Sequence, residues 1–423
     1  MMKILISILL FSHIFSIIKI PFKTIENTID KNHTYLHSLR KNLEMAEINI
    51  GEPIQTIKLH IATSYYHFII ANSKTELKDI YSNTSSITSS IVSNEKKKFY
   101  YNNYYNGYLC EDTLILKNEK GKKISYKNFP FLMADYDNKN SGLIGLNLIK
   151  ERNSDDLNFL KILKEKKIIS SLIWFIKFNK DKKSGELIIG DYPHKNDKKY
   201  NENSLKFTKI EINPYTTNWK IQFDNIKYDN ISISQSLSKY AEIVIEFGLI
   251  RAPNEYKDLV FKKLNISNNC YEKYEEFGLV YVYCDKNTNI KLLPSLNFYH
   301  REFNCTFTLN YQDLFLEKDD KYCLLVIFSR IHGFQEWTLG KPFMTKYEFI
   351  FNTEKTTIGF YTDYKNNNSS SIGIKIIVIF ILIIIGLIYF INQIIKTRRR
   401  KTRKNEIEEV FDYIPAGQNG LGF

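Results

Sequence analysis

Residues Ile48 to Ile70 read INIGEPIQTIKLHIATSYYHFII. Gly51-Glu52-Pro53 is a turn, and Gln55 follows it. Ile57, Leu59 and Ile61 then alternate with Lys58 and His60, a period of two rich in β-branched residues that predicts a strand. Thr63-Ser64-Tyr65-Tyr66 interrupts it, and Phe68-Ile69-Ile70 is a second short strand.

Working outward, Thr75 to Lys98 is Ser/Thr-rich and reads as a loop. Phe99 to Leu116 is strand-like, with Gly107 near its middle. Ser141-Gly142-Leu143-Ile144-Gly145-Leu146 is an apolar stretch punctuated by glycines. Leu157 to Ile169 has helical spacing, Ser171 to Phe178 is an apolar strand, and Ser184 to Gly190 is another. The second half carries Asn218-Trp219-Lys220-Ile221, Leu293-Pro294-Ser295-Leu296-Asn297-Phe298, and Trp337-Thr338-Leu339-Gly340-Lys341-Pro342-Phe343. Tyr347 to Phe351 and Ile358 to Phe360 follow.

In this order the segments resemble those of pepsin-like aspartic peptidases, over about Ala46 to Tyr364. In that family the first segment reads I-G-x-P-x-Q and, after a short strand, D-T-G-S. The flap hairpin reads Y-G-x-G-x-x-x-G, which puts the flap tyrosine at Tyr100 and the following D-T pair at Asp112-Thr113. D-G-I-L-G-L falls on 141–146, Y-W-x-I on 218–221, L-P-x-I-x-F on 293–298 and W-I-L-G-D-x-F on 337–343, with Ser141 and Lys341 replacing aspartates. Each segment alone fits a generic secreted all-β protein; the ordered series does not. The resemblance implies an all-β, bilobed pepsin-like aspartic peptidase fold, two β-barrel-like lobes flanking a cleft that takes an extended peptide.

Catalysis in that family needs two carboxylates about 3 Å apart that share one proton and activate a water. Counted without a gap from Gly51, the first aspartate falls on Ala62; Thr63 is kept, and Ser64 and Tyr65 replace glycine and serine. Counted from Trp219 and back from Pro253, the second falls on Val244, followed by Ile245, Glu246 and Phe247. The flank Ala241, Ile243 and Leu249 to Pro253 fits, whereas Glu242 stands where an apolar residue is usual. No catalytic residue is therefore assigned. Ala62 and Val244 are degenerate positions that can neither ionise nor hydrogen-bond through their side chains, and Thr63, Tyr65, Tyr100, Glu246 and Phe247 line the cleft and flap. Ser64 and Glu246 are expected to crowd the loops, and Tyr65 and Phe247 to give the floor aromatic surface. Glu246 is the better candidate for a displaced acid, but Ala62 offers it no partner. Losing one member of such a constellation costs on the order of 10⁴ in rate. The eight histidines show no metal-ligand spacing, and no G-x-S-x-G or phosphate loop is present; neither metal nor cofactor is expected.

The chain has 423 residues and a net charge of +13. Residues 1–20, with Lys3 ahead of an apolar core, read as a signal peptide, an uncleaved anchor being the alternative. Residues 21–45 are a short polar segment. The pepsin-like domain takes 46–364, with lobes of about 46–190 and 191–364, and 365–371 form a stalk. Residues 372–395 are apolar enough to span ~30 Å of bilayer. The basic tail 396–423 follows, a stop-transfer flank rather than a nucleic-acid patch because no aromatics are interleaved. This predicts a single-pass type I membrane protein of the secretory pathway, endolysosomal or at the cell surface, with glycosylation sequons at Asn32, Asn83, Asn230, Asn265, Asn304, Asn367 and Asn368. Cysteines 110, 270, 284, 305 and 323 fit an oxidising compartment. The family resemblance implies a Cys270–Cys284 bridge before L-P-x-I-x-F, and Cys305–Cys323 is the expected second pair, leaving Cys110 buried, free or intermolecular. Two functions follow from the resemblance: a catalytically inactive pseudo-peptidase that binds a peptide or protein, or an active membrane-anchored endopeptidase with displaced catalytic groups.

Overall fold

A computed structural model describes residues 17–25, 34–73, 78–101, 103–118, 120–135, 142–148, 157–210, 218–233, 238–264, 269–275, 278–329, 335–363, 384–396 and 398–399. The chain divides into two units, Met1–Tyr364 and Lys365–Phe423.

The first unit is mostly β. The strand Gln55–Ala62 forms where the alternating pattern predicts it, antiparallel to Leu43–Ile50. The turn between them needs glycine: Gly51 has φ +82°, and a Cβ there would lie 2.8 Å from Ser86 Oγ. One large sheet continues from this pair through Gly142–Gly145, Phe68–Asn72, Lys123–Asp135 and the hairpin Ser90–Tyr101/Asn103–Lys117. In the other direction it runs through Ile18–Ile25, Ser184–Ile189 and Ile173–Phe178 to Ile350–Asn352 and Thr357–Tyr361. The closing strands of the chain thus return to the sheet of the first lobe, and Trp174 stacks on Phe351 with ring centroids 4.1 Å apart.

The second lobe has two further sheets. Their local plan repeats that of the first. In each lobe a strand pairs in parallel with a second strand that leads to a glycine. Gln55–Ala62 pairs with Gly142–Gly145, and Tyr240–Ile243 pairs with Trp337–Leu339, which ends at Gly340. Cβ atoms on Gly145 or Gly340 would meet backbone at 2.5 Å or less. Glycine is therefore required at both places by contact, which explains the G-L-I-G-L and W-T-L-G-K-P-F segments.

The expectations for the N-terminus and the cysteines need correction. Ile18–Ile25 is a strand inserted between Ser184–Ile189 and Leu43–Ile50. Ile18, Ile20 and Phe22 are buried while Lys19, Pro21 and Lys23 alternate with them, a period of two hidden by the apolar residues that precede it in sequence. A leader ending at 20 would take the buried Ile18 and Ile20 out of this sheet. Residues 21–25 and 34–45 are likewise built into the fold, with a helix at Tyr35–Arg40 capped by the Thr34 side chain, which accepts from His37 N.

Cys270 and Cys284 are bonded, facing each other across the hairpin Cys270–Glu275/Leu279–Asp285. Cys305 and Cys323 are unbonded, against expectation, because they belong to different sheets: Cys305 pairs with His300, and Cys323 with Tyr283. Cys110 is buried and free, its thiol pushed up to about 12 by burial. Of the sequons, Asn230 and Asn304 are exposed and Asn83 is half-buried; Asn32, Asn265, Asn367 and Asn368 lie outside the described residues.

In the second unit residues 384–396 are helical, and apolar side chains such as Ile385, Leu387 and Phe390 are exposed. Among the described residues no helix is long and apolar enough to cross a membrane. The first part of the apolar run, 372–383, lies outside them.

Candidate functional site

The two degenerate positions stand where the equivalent strands of the lobes end. Ala62 is the last residue of its strand and fully buried, and Leu146 N donates to its carbonyl at 2.8 Å. Val244 follows Tyr240–Ile243 and is also buried; its N–H donates to Leu339 O at 3.2 Å. Both side chains are hydrocarbon, so neither takes part in acid–base chemistry.

Glu246 supplies the carboxylate of the site, and it is spoken for. Its Oε2 accepts from Thr63 N and Thr63 Oγ1, both at 2.9 Å, and its Oε1 accepts from Ser64 N at 2.9 Å. Thr63 Oγ1 in turn accepts from Ile245 N at 3.2 Å. The loop that would carry a catalytic group in one lobe is thereby tied to the matching loop of the other. Three donors fill three of the roughly four lone-pair sites a carboxylate offers. Glu246 was expected to crowd the loops; it bridges them instead. Sequence reasoning missed this because a long acidic side chain after Val244 carries no local signal of a partner 182 or 183 residues away.

A second chain of polar groups runs beside it. Asn147 Nδ2 donates to Ser64 O at 3.1 Å and lies 3.2 Å from Asn218 Oδ1. Asn218 Nδ2 donates to Glu242 Oε1. Trp219 Nε1 donates to Leu146 O at 2.8 Å, a further link between segments of the two lobes. Burial raises the Glu242 carboxyl above the usual range and repulsion from Glu246 adds to this, while Arg251, Lys220 and Asn218 oppose it. His60, buried two residues before Ala62, is held below its ordinary value by burial, against the opposing pull of Glu246.

The remaining expected residues are placed as follows. Thr63 is buried in the bridge just described. Tyr65 and Phe247 are half-buried. Tyr65 packs on the main core, and Phe247 packs on the cluster of Leu36, Leu249, Tyr281 and Tyr283. Tyr100 pairs with Tyr104 beside the tip of the long hairpin Ser90–Tyr101/Asn103–Lys117. Among the described residues no group of acidic, histidine or cysteine side chains could hold a metal.

Residues 45–362 match the family model described as eukaryotic aspartyl protease. The chain belongs to that family. It is 28% identical over 206 residues to plasmepsin IV of Plasmodium falciparum (isolate 3D7), a match covering 48% of this chain and only 40% of the plasmepsin. Pregnancy-associated glycoprotein 1 of Ovis aries is 22% identical over 383 residues, covering 81% of this chain and 95% of the glycoprotein. Among solved structures, basic 7S globulin from soybean superposes with a TM-score of 0.61 at 13% identity, covering 84% of this chain and 97% of the globulin. Conglutin gamma from lupine seeds gives 0.59 at 14%, covering 82% and 95%. At those identities the likeness shows the fold alone.

Glu242 provides a measurable consequence. Its carboxyl is raised in the folded protein, so its favourable contribution is present below the unfolded value of about 4.3 and is lost as pH rises through the folded value. Glu242→Gln mimics the protonated form and is expected to raise the melting temperature at pH 7.5 while leaving it nearly unchanged at pH 4. Equal shifts at the two pH values would show that the ionised carboxylate is not disfavoured.

Proposed function

We propose that this member of the family is a catalytically inactive, membrane-anchored pseudo-peptidase that acts by binding an extended peptide or protein segment in its cleft. The observation that carries this reading is the pair Ala62 and Val244 at the ends of the equivalent strands, both buried and both without a titratable atom. The Glu246 bridge adds to it, because the carboxylate nearest those positions is engaged by Thr63 and Ser64. The hairpin carrying Tyr100 offers the backbone edge along which such peptides add as a strand. The proposed topology is type I: the pepsin-like domain on the luminal or extracellular side, anchored by the apolar run 372–395, with the basic tail in the cytosol.

One observation favours a second reading, an active endopeptidase using displaced carboxylates. Glu242 is held protonated to higher pH than usual by burial and, to a lesser extent, by the charge of Glu246. A carboxyl kept protonated near a second carboxylate is what acid–base hydrolysis uses. Against it, Glu242 is tied to Asn218 and faced by Arg251, and Glu246 has about one lone pair left for a water.

The deciding experiment is hydrolysis of a denatured protein by the purified chain between about pH 3 and 6, the range in which such dyads work. No cleavage is expected, and no tight binding of inhibitors carrying a tetrahedral hydroxyl. Turnover that disappears in Glu246→Gln or Glu242→Gln would establish the second reading.

A further inference from the structure

A cavity of about 280 Å³ lies on the second lobe, lined from three parts of the chain: Thr34 and Tyr35; Tyr271, Lys273 and Tyr283; and Lys318, Asp319, Lys321 and Cys323. Its floor is one face of a sheet. Tyr271, Tyr283 and Cys323 stand in register across three strands, and the rings of Tyr271 and Tyr283 stack 5.7 Å apart at 19°. Tyr283 is fixed from behind, its hydroxyl accepting from Leu36 N at 3.2 Å. Tyr35, the first residue of its helix, forms a wall.

Positive charge is in excess. Lys273, Lys318 and Lys321 line the cavity with one acid, Asp319, whose side chain is 80% exposed and pairs with Lys318 Nζ at 3.5 Å, leaving Lys273 and Lys321 as the surplus. Aromatic groups position two of these ammonium groups. Lys321 Nζ donates to Tyr271 Oη at 2.8 Å, and Lys318 Nζ lies 5.6 Å from the Tyr35 ring centroid. Cations held this way keep their attraction for an incoming anion. The volume is below that of most drug-sized sites and fits one side-chain-sized group.

We propose that this cavity binds an aryl anion, a phosphate or sulfate ester on an aromatic ring, the ring lying against the tyrosines and the ester facing Lys273, Lys318 and Lys321. Ring stacking supplies the apolar contact and the lysines supply the charge. The ester can come from a modified tyrosine of a partner protein or from a free small molecule. The inference is independent of the cleft and of its activity.

Calorimetric titration of the purified full chain with phenyl phosphate and phenyl sulfate tests it. Both should bind at least about tenfold more tightly than inorganic phosphate and than p-cresol, weakening as salt rises. Lys273→Gln with Lys321→Gln should weaken binding about tenfold or more, and Tyr271→Leu should abolish the preference for the ring over inorganic phosphate. A sulfotyrosine or phosphotyrosine peptide that outcompetes the free ester identifies a partner protein as the source; the reverse order identifies a small molecule. Phenyl phosphate no better than inorganic phosphate, or unchanged affinity in a double-lysine variant that melts at the unmodified temperature, overturns the proposal.

Discussion

Gly340→Ala is expected to destabilise the domain by more than about 4 kcal/mol and to abolish most soluble expression. The backbone of Gly340 is extended, with φ −94°, so the cost is not conformational. It comes from contact: an added Cβ would lie 2.0 Å from Phe247 O and 2.2 Å from Leu249 O. Both atoms are backbone of the loop that follows Val244, and that loop is held by Lys341 N donating to Phe247 O at 2.8 Å and by Val244 N donating to Leu339 O. Relieving the clash means breaking this lattice, which is dearer than ordinary overpacking of about 1–3 kcal/mol. Gly386→Ala is the control, since nothing lies within 4 Å of a Cβ there; in a helix it should be neutral or slightly stabilising. Chemical denaturation of the two variants side by side gives the result. A Gly340→Ala protein within about 1 kcal/mol of the parent would mean that the 244–249 loop is not seated against residue 340.

How far the sequence discloses this molecule depends on whether a feature is local. The strand Gln55–Ala62 and its glycine turn are written in alternation and in one residue type, and they form as expected. So does the Cys270–Cys284 bridge, which closes a single hairpin. Spacing along a strand is fixed by geometry, and Ala62 and Val244 do stand at the ends of equivalent strands. Pairings between distant segments were not legible. The strand Ile18–Ile25 alternates correctly, but its apolar residues run on from the apolar stretch that precedes it, and composition cannot separate the two. Cys305 and Cys323 are near in sequence yet belong to different sheets, so proximity along the chain was misleading. The same limit hid Lys341, whose ammonium meets the buried Glu44 at 3.0 Å, and His60 beside Glu246. Each depends on a partner from a part of the chain that only the folded topology brings close.

Glu246→Ala is expected to cost about 3 kcal/mol, because it removes hydrogen bonds to a charged acceptor and leaves the N–H groups of Thr63 and Ser64 without that partner. Three bonds at about 1.5–3 kcal/mol each would sum to more. Glu246 is only half-buried, however, so water can replace part of what is lost. Glu246→Gln should fall between the two, since its oxygen still accepts while its amide nitrogen is turned towards a donor. Hydrogen exchange makes the prediction local: the amides of Thr63 and Ser64 should lose protection in Glu246→Ala, together with Ile245, whose N–H reaches Thr63 Oγ1. Amides of Thr357–Tyr361, far along the same sheet next to its edge strand Leu205–Lys209, should keep theirs. A Glu246→Ala protein with unchanged stability and unchanged exchange at residues 63, 64 and 245 would show that the carboxylate does not tie the lobes. The same bridge bears on catalysis. Ala62→Asp with Val244→Asp would place two acids beside Glu246, which already holds the loop where a family member's catalytic water would need donors. That double variant is expected to remain without turnover while Glu246 is present. Hydrolysis appearing in the double variant alone would mean that the bridge yields readily, and that the two missing aspartates were the whole of what the site lacked.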